Sequence, residues 1–298
     1  MSDATNPDEA DIEASRAPLM DHLLELRSRL IWCAVAFFVA FMGCFFLSDR
    51  IYLFLIHPFQ VAGALIAAEK AAGGGHGPFD LFLALLNLKD VTIGQGNTLE
   101  LIFTAPLEFF FAKLKLAGFG AIIVSFPVIA YQLYRFVAPG LYRRERHAFL
   151  PFLFAAPFLF LTGAALVYYV MLPFVMWFSL SQQITAPGVT VSLLPKVGEY
   201  LSLVTTLILA FGLCFQLPVV VSLLGLSGIV KSGMLIAGRR FAIVGIAVVA
   251  AIVTPPDPIS MLMLCVPLWL LYEVSIWCVR LIEMRRPQDD DAAPEGAL

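Results

Sequence analysis

Charge is what this chain has least of. Asp, Glu, Lys and Arg supply 14 % of its 298 residues, against 60 % hydrophobic ones, and the mean hydropathy is +0.88. A soluble globular domain carries about 25 % charged and about 45–50 % apolar residues. The surplus of apolar residues exceeds what a core of this size can bury, which excludes an ordinary soluble domain. Histidine is scarce as well: His22, His57, His76 and His147 lie far apart, nothing reads HExxH, and no histidine follows His147. That spacing excludes a zinc-protease helix. The five cysteines (Cys33, Cys44, Cys214, Cys265, Cys278) all fall inside apolar runs and show no CxxC spacing. A disulfide framework or metal knuckle is excluded with them, and they read as small buried apolar residues. No basic stretch points to nucleic acid. The acidic first eighteen residues lack the basic and apolar regions of a cleaved signal peptide. The net charge of −3 reflects the ends, since twelve of the 22 acids lie before Ser28 or after Arg280.

What the chain does have is long uncharged runs. They cover residues 30–47, 116–134, 148–180 and 200–230, followed by the shorter 241–256 and 258–272. A membrane-spanning helix needs about 20 residues, within about 17–25. Continuous rather than alternating hydrophobicity favours helices over a β-barrel. The 33-residue run at 148–180 would reach about 50 Å as one helix. Basic residues decide how it crosses. If it crosses once, thirteen of the 19 lysines and arginines fall on one side of the membrane. Splitting the run would scatter them, against the positive-inside rule. The expectation is an all-α membrane protein with six spans and both termini in the cytoplasm.

The last two runs form a hairpin around the turn TPPDP at 254–258. Each arm holds about 14 uncharged residues, or about 21 Å, short of a hydrocarbon core of about 30 Å. Local thinning of the bilayer is expected there. Residues 49–105 read as an extracytoplasmic loop with a short helix at 61–72, a glycine-rich break at 73–77 and an amphipathic stretch at 79–88. Thr104, Pro106 and Glu108 mark a helix start. Residues 1–18 and 283–298 read as disordered acidic tails flanking a 19–282 membrane domain.

Polar residues inside the membrane are costly and usually mark function. Gln216, Glu273 and Asp257 qualify, with Glu108 and Glu199 near span ends. No chain of acids crosses the membrane, so a proton-relay pump has little support. A small-solute secondary transporter is the alternative function, and only Gln216 and Glu273 could build its midplane site. Gly225-Leu226-Ser227-Gly228 matches the GxSG pattern of rhomboid intramembrane proteases. The base that such a serine needs is a histidine on a later helix, and the last two spans have none. Pro127, Pro139, Pro151, Pro157, Pro173, Pro218 and Pro267 lie in or beside apolar runs and imply kinked helices in a concave bundle. Gln216 precedes Pro218, which frees a backbone carbonyl in that helix, so an interhelical hydrogen bond is expected of its amide.

Three segments carry a specific signal. HLLELRSRL (22–30) precedes the first span. SFPVIAYQ (125–132) leads into FVAPGLYRRER (136–146). TPPDP occupies the last hairpin. In this order, with six spans, they resemble the TatC family, the receptor subunits of the twin-arginine protein translocase. The resemblance covers roughly residues 19–282. It implies a glove-shaped bundle in the bacterial inner membrane that binds Arg-Arg signal peptides. It further implies an oligomeric complex with TatA- and TatB-type single-span partners, and export of folded precursor proteins driven by the protonmotive force. No enzymatic activity, cofactor or metal is expected. By the motif match, Glu25 and Glu145 receive the arginine pair, and Arg27, Phe136, Pro139 and Tyr142 shape the site. Pro58, Tyr168, Gln216 and Asp257 match positions used for bundle or partner contacts. Gln216 stands where the family commonly has glutamate, and the segment around 61–97 is longer than expected. A guanidinium offers five donors in a fixed fork and pairs with a carboxylate bidentately, which suits two acids to an arginine pair.

Overall fold

The computed structural model describes residues 7–72, 101–137, 150–186, 189–191, 195–254 and 258–285. Helix α1 (Pro7–Phe46) is followed after one turn residue by α2 (Ser48–Ala72). Helix α3 (Glu108–Val137) comes next, then α4 (Leu150–Leu166), which runs through a π-helical turn (Val167–Met171) into α5 (Leu172–Ser181). A two-stranded antiparallel ribbon pairs β1 (Ile184–Ala186) with β2 (Val189–Val191), Ile184 opposite Val191. Helices α6 (Val197–Cys214), α7 (Leu217–Leu226), α8 (Ser232–Val253) and α9 (Pro258–Arg285) complete the described elements. Among the described residues six helical stretches are long and apolar enough to span a membrane: Leu23–Phe46, Glu108–Phe136, Phe152–Ser181, Val197–Leu226, Ser232–Val253 and Met261–Met284.

The long third run is one continuous crossing, as its basic flanks require. Its π turn has a local cause. Pro173 has no N–H to give the carbonyl of Tyr169, four residues back. The ladder widens just before it, with Leu172 N–H bonding to Val167 O, five residues back. The fourth span breaks for the same reason. Phe215 N–H reaches Phe211 O at 2.8 Å, Gln216 N–H closes a tighter turn on Leu213 O at 2.9 Å, and α7 restarts with Pro218 in its first turn.

The core lies between the third and fourth spans, with α2 and α3 against it. Its fully buried side chains include Leu55, Phe59, Leu116, Met171, Leu172, Leu201, Leu207 and Phe211. Two glycines set the closest approach of α4 to α6. A Cβ at Gly212 would sit 2.6 Å from the Phe160 ring, and one at Gly163 would sit 2.8 Å from the Phe215 ring. No larger residue fits either position without moving a ring. The first and fifth spans lie outermost, each with only 6 % of its span buried within the protein, against 50 % for the fourth.

Three expectations change. Residues 7–18, read as a disordered tail, belong to α1. The supposed loop at 49–105 begins as helix, because α2 runs from Ser48 to Ala72 rather than starting at 61. The all-α fold class holds, with the short ribbon as a small addition to it. The last hairpin is not built from two short arms: α8 has 22 residues and α9 has 28. The charges that ended the apolar runs sit inside these helices, because Arg239 Nη2 meets Glu273 Oε2 at 2.7 Å across the hairpin. Paired, they no longer force either helix to stop. The amphipathic stretch at 79–88 and most of the C-terminal tail lie outside the described residues.

Candidate functional site

The candidate peptide-binding edge is built on α1 and α3, which pack along each other. Gly120 of α3 faces Cys44 of α1, and Lys113 of α3 pairs with Asp49 at the start of α2, at 2.6 Å. These contacts run the two spans antiparallel, which brings the start of the first beside the end of the second. Glu25 is half-buried in the first turn of the first span, and its carboxylate is ion-paired with Arg29 on the same helix. Arg27 is exposed, and Phe136 is half-buried in the last turn of α3. Arg135 beside it lies 5.9 Å over the Tyr131 ring. Pro139, Tyr142 and Glu145 lie outside the described residues, as does Asp257 of the last hairpin.

Two sites named separately in the sequence come together at the other end of the bundle. Pro58 inside α2 has no N–H, which leaves the carbonyl of Phe54 without its helical partner. The Tyr168 hydroxyl, in the π turn, donates to that carbonyl at 2.8 Å, and its ring stacks on Phe54 with centroids 4.3 Å apart. A second hydroxyl, from Tyr200 of α6, donates to the next carbonyl, Leu55 O, at 2.7 Å. Both tyrosines are buried. The proline kink, the π turn and the fourth span are thus one hydrogen-bonded unit. Sequence reasoning missed Tyr200. A tyrosine three residues into an apolar span, with a hydroxyl that must find an acceptor in hydrocarbon, is the signal that could have found it.

Glu108 begins α3 as the Thr104–Pro106–Glu108 pattern requires. Its Oε2 accepts from Thr104 N–H at 2.8 Å and from Ala105 N–H at 3.3 Å. Its other oxygen accepts from Gly198 N–H in α6, at 3.3 Å, so one carboxylate serves two helix starts. Lys115 Nζ donates to Ser202 Oγ at 2.8 Å nearby.

Gln216 holds the break in the fourth span. Its Nε2 donates to Ala156 O in α4 at 2.9 Å. The interhelical bond is as expected, but its acceptor belongs to the third span, not to the carbonyl freed by Pro218. In the last hairpin, Glu283 of α9 accepts from Ser232 N–H at 2.7 Å and also from the Ser232 hydroxyl, capping α8 from outside. Tyr272 donates to Leu235 O at 2.7 Å. Among the described residues no cluster of three or more His, Cys, Asp and Glu side chains could hold a metal.

A family model described as "TatC: Sec-independent protein translocase protein (TatC)" matches residues 21–267. The chain belongs to the TatC family. Curated relatives include the Sec-independent protein translocase protein TatC of Magnetococcus marinus, 38 % identical over 282 residues, covering 95 % of this chain and 90 % of that one. The TatC of Rickettsia prowazekii is 37 % identical, covering 89 % of this chain and 94 % of its own. A crystal structure of the twin arginine translocase receptor TatC superposes with a TM-score of 0.67 at 30 % identity, covering 88 % of this chain and 99 % of that one. The six-span TatC fold accordingly accounts for almost the whole described chain. The protein is a multi-pass membrane component of the Sec-independent translocase, and the transporter alternative loses its basis.

Proposed function

We propose that this TatC chain is the non-enzymatic receptor that recognises twin-arginine signal peptides in the inner membrane, with both termini in the cytoplasm. Glu25 and Glu145 receive the two guanidinium groups, while Arg27, Phe136, Pro139 and Tyr142 shape the site around them. TatA- and TatB-type single-span proteins assemble on the bundle, and folded precursors cross at the expense of the protonmotive force. Pro58, Tyr168 and Gln216 serve the bundle that presents the site, and Asp257 serves the hairpin turn or a partner. The observation that carries this reading is Glu25: a carboxylate held half-buried at the start of the first span, beside the end of the second. A charge-assisted hydrogen bond to such an acid contributes about 1.5–3 kcal/mol. Two of them separate an arginine pair from a lysine pair, which lacks the fork.

Co-purification from membranes tests it. A twin-arginine precursor should be retained with the chain, and its Lys-Lys variant should be retained at least tenfold less. Equal retention of the two would contradict the reading.

A further inference from the structure

Arg29 lies one turn after Glu25 and forms an ion pair with it through Nη2. The pair is lopsided. The Arg29 side chain is 13 % exposed and that of Glu25 is 39 % exposed. Arg29 Nε is buried and has no hydrogen-bond partner among the described residues. A guanidinium that fits a carboxylate well uses two parallel N–H groups. Here the acid is met, but a second donor of the same guanidinium stays buried and unmet, a destabilising arrangement. The helix packed along α1 offers no remedy, since the one acid of α3 is Glu108, at its far end. Among the described residues at the near end, the cations Arg135 of α3 and Arg27 of α1 are both exposed.

We propose that Arg29 is a tethered stand-in for the signal-peptide arginine: it occupies Glu25 when no precursor is bound and is displaced by an incoming guanidinium that presents its full fork. This rests on the reading of Glu25 as an arginine receptor. The exchange favours the peptide because the resting pair leaves Nε unsatisfied, whereas a released Arg29 can turn its donors to water. Arg29 is then a positioning residue that sets the threshold of binding. When only a fraction of a site is competent, every ligand loses affinity by that same fraction. Arg29 therefore lowers the affinity of arginine and lysine peptides alike. The fork chooses between them, and the stand-in keeps the weaker peptide below useful occupancy.

The test is a binding cycle on the full-length chain in lipid nanodiscs. The probes are a fluorescent twin-arginine signal peptide and its Lys-Lys counterpart. Parent, Arg29→Gln, Arg29→Met, Glu25→Ala and the Glu25→Ala/Arg29→Gln double variant are compared; Arg29→Met keeps the aliphatic stem should the polar replacement disturb insertion. Ion pairs one helical turn apart contribute little even when partly buried on one side, so removing the stand-in should tighten binding roughly two- to fivefold. The tightening should be equal for both peptides and absent in the Glu25→Ala background. Unchanged or weaker binding in both Arg29 variants overturns the proposal. So does a tightening that persists without Glu25, which would be mere loss of repulsion. The receptor reading fails separately: in that case Glu25→Ala leaves twin-arginine binding unchanged. If Glu25→Ala weakens binding and the Arg29 variants do not tighten it, only the stand-in is wrong.

Discussion

Around Pro58 the bundle is tied by neutral hydroxyls, whereas the α8–α9 hairpin, besides the bond from Tyr272 to Leu235 O, is tied by carboxylates. Tyr168 and Tyr200 bond to backbone carbonyls deep in the core, where both residues are buried. Arg239, Glu273 and Glu283 link α8 to α9, with the Arg239 side chain 46 % exposed and that of Glu273 19 % exposed. A neutral bond can be buried at small cost, so it can secure the most tightly packed part of a membrane bundle. A charge in hydrocarbon is costly unless it is paired, and an outer hairpin leaves it a path to the interface. The difference separates a rigid centre from an edge whose ties respond to charge and salt.

The largest effect should come from the centre. Replacing both Tyr168 and Tyr200 by Phe leaves the carbonyls of Phe54 and Leu55 with one partner fewer. An unsatisfied buried acceptor costs about 1–3 kcal/mol, so the pair should lose roughly 2–5 kcal/mol. Thermal unfolding in detergent reads this, and it should be independent of salt. A loss of similar size from the hairpin variants would erase the contrast.

A smaller effect is expected at the ion pair. Arg239→Leu strands Glu273 and should destabilise the chain by about 1–2 kcal/mol, reduced from the cost of a fully buried pair because Arg239 is half-exposed. Adding Glu273→Leu should recover most of that loss. Failure of the second substitution to rescue the first would show that the two charges act independently. Weakest of all, Glu283→Gln should cost about 0.5–1 kcal/mol, the value of a helix-start charge, and should shrink further at high salt. Unfolding curves at low and high ionic strength check both points.

The six spans and their number were legible because hydropathy is written locally, and basic flanks settled the long third run. Pro58 and Tyr168 were legible as single positions. Their contact was not, because it joins residues 114 apart in the chain, and Tyr200 reaches Leu55 across 145. No periodicity encodes such a pairing. The hairpin misled for a related reason: counting uncharged residues treats Arg239 and Glu273 as ends, and only their proximity in three dimensions makes them interior. The helix before residue 61 was hidden in the same way. Asp49 and Arg50 looked like the close of a span, yet Asp49 is paired with Lys113 of α3. At the candidate site the motifs named Glu25 and Phe136, while the partner Arg29, which occupies the acid, is visible only once its side chain is placed.

The central claim is that Glu25 and Glu145 bind the arginine pair directly. A double-mutant cycle tests it most sharply: Glu25→Gln and Glu145→Gln in the chain, each combined with Arg→Lys changes in the signal peptide, read as peptide affinity in membranes. Direct contact predicts a coupling of at least about 1 kcal/mol between one acid and one arginine, with the doubly altered pair weaker than either alone but less than additively so. Strictly additive losses for both acids, with the variants stably inserted, would contradict it.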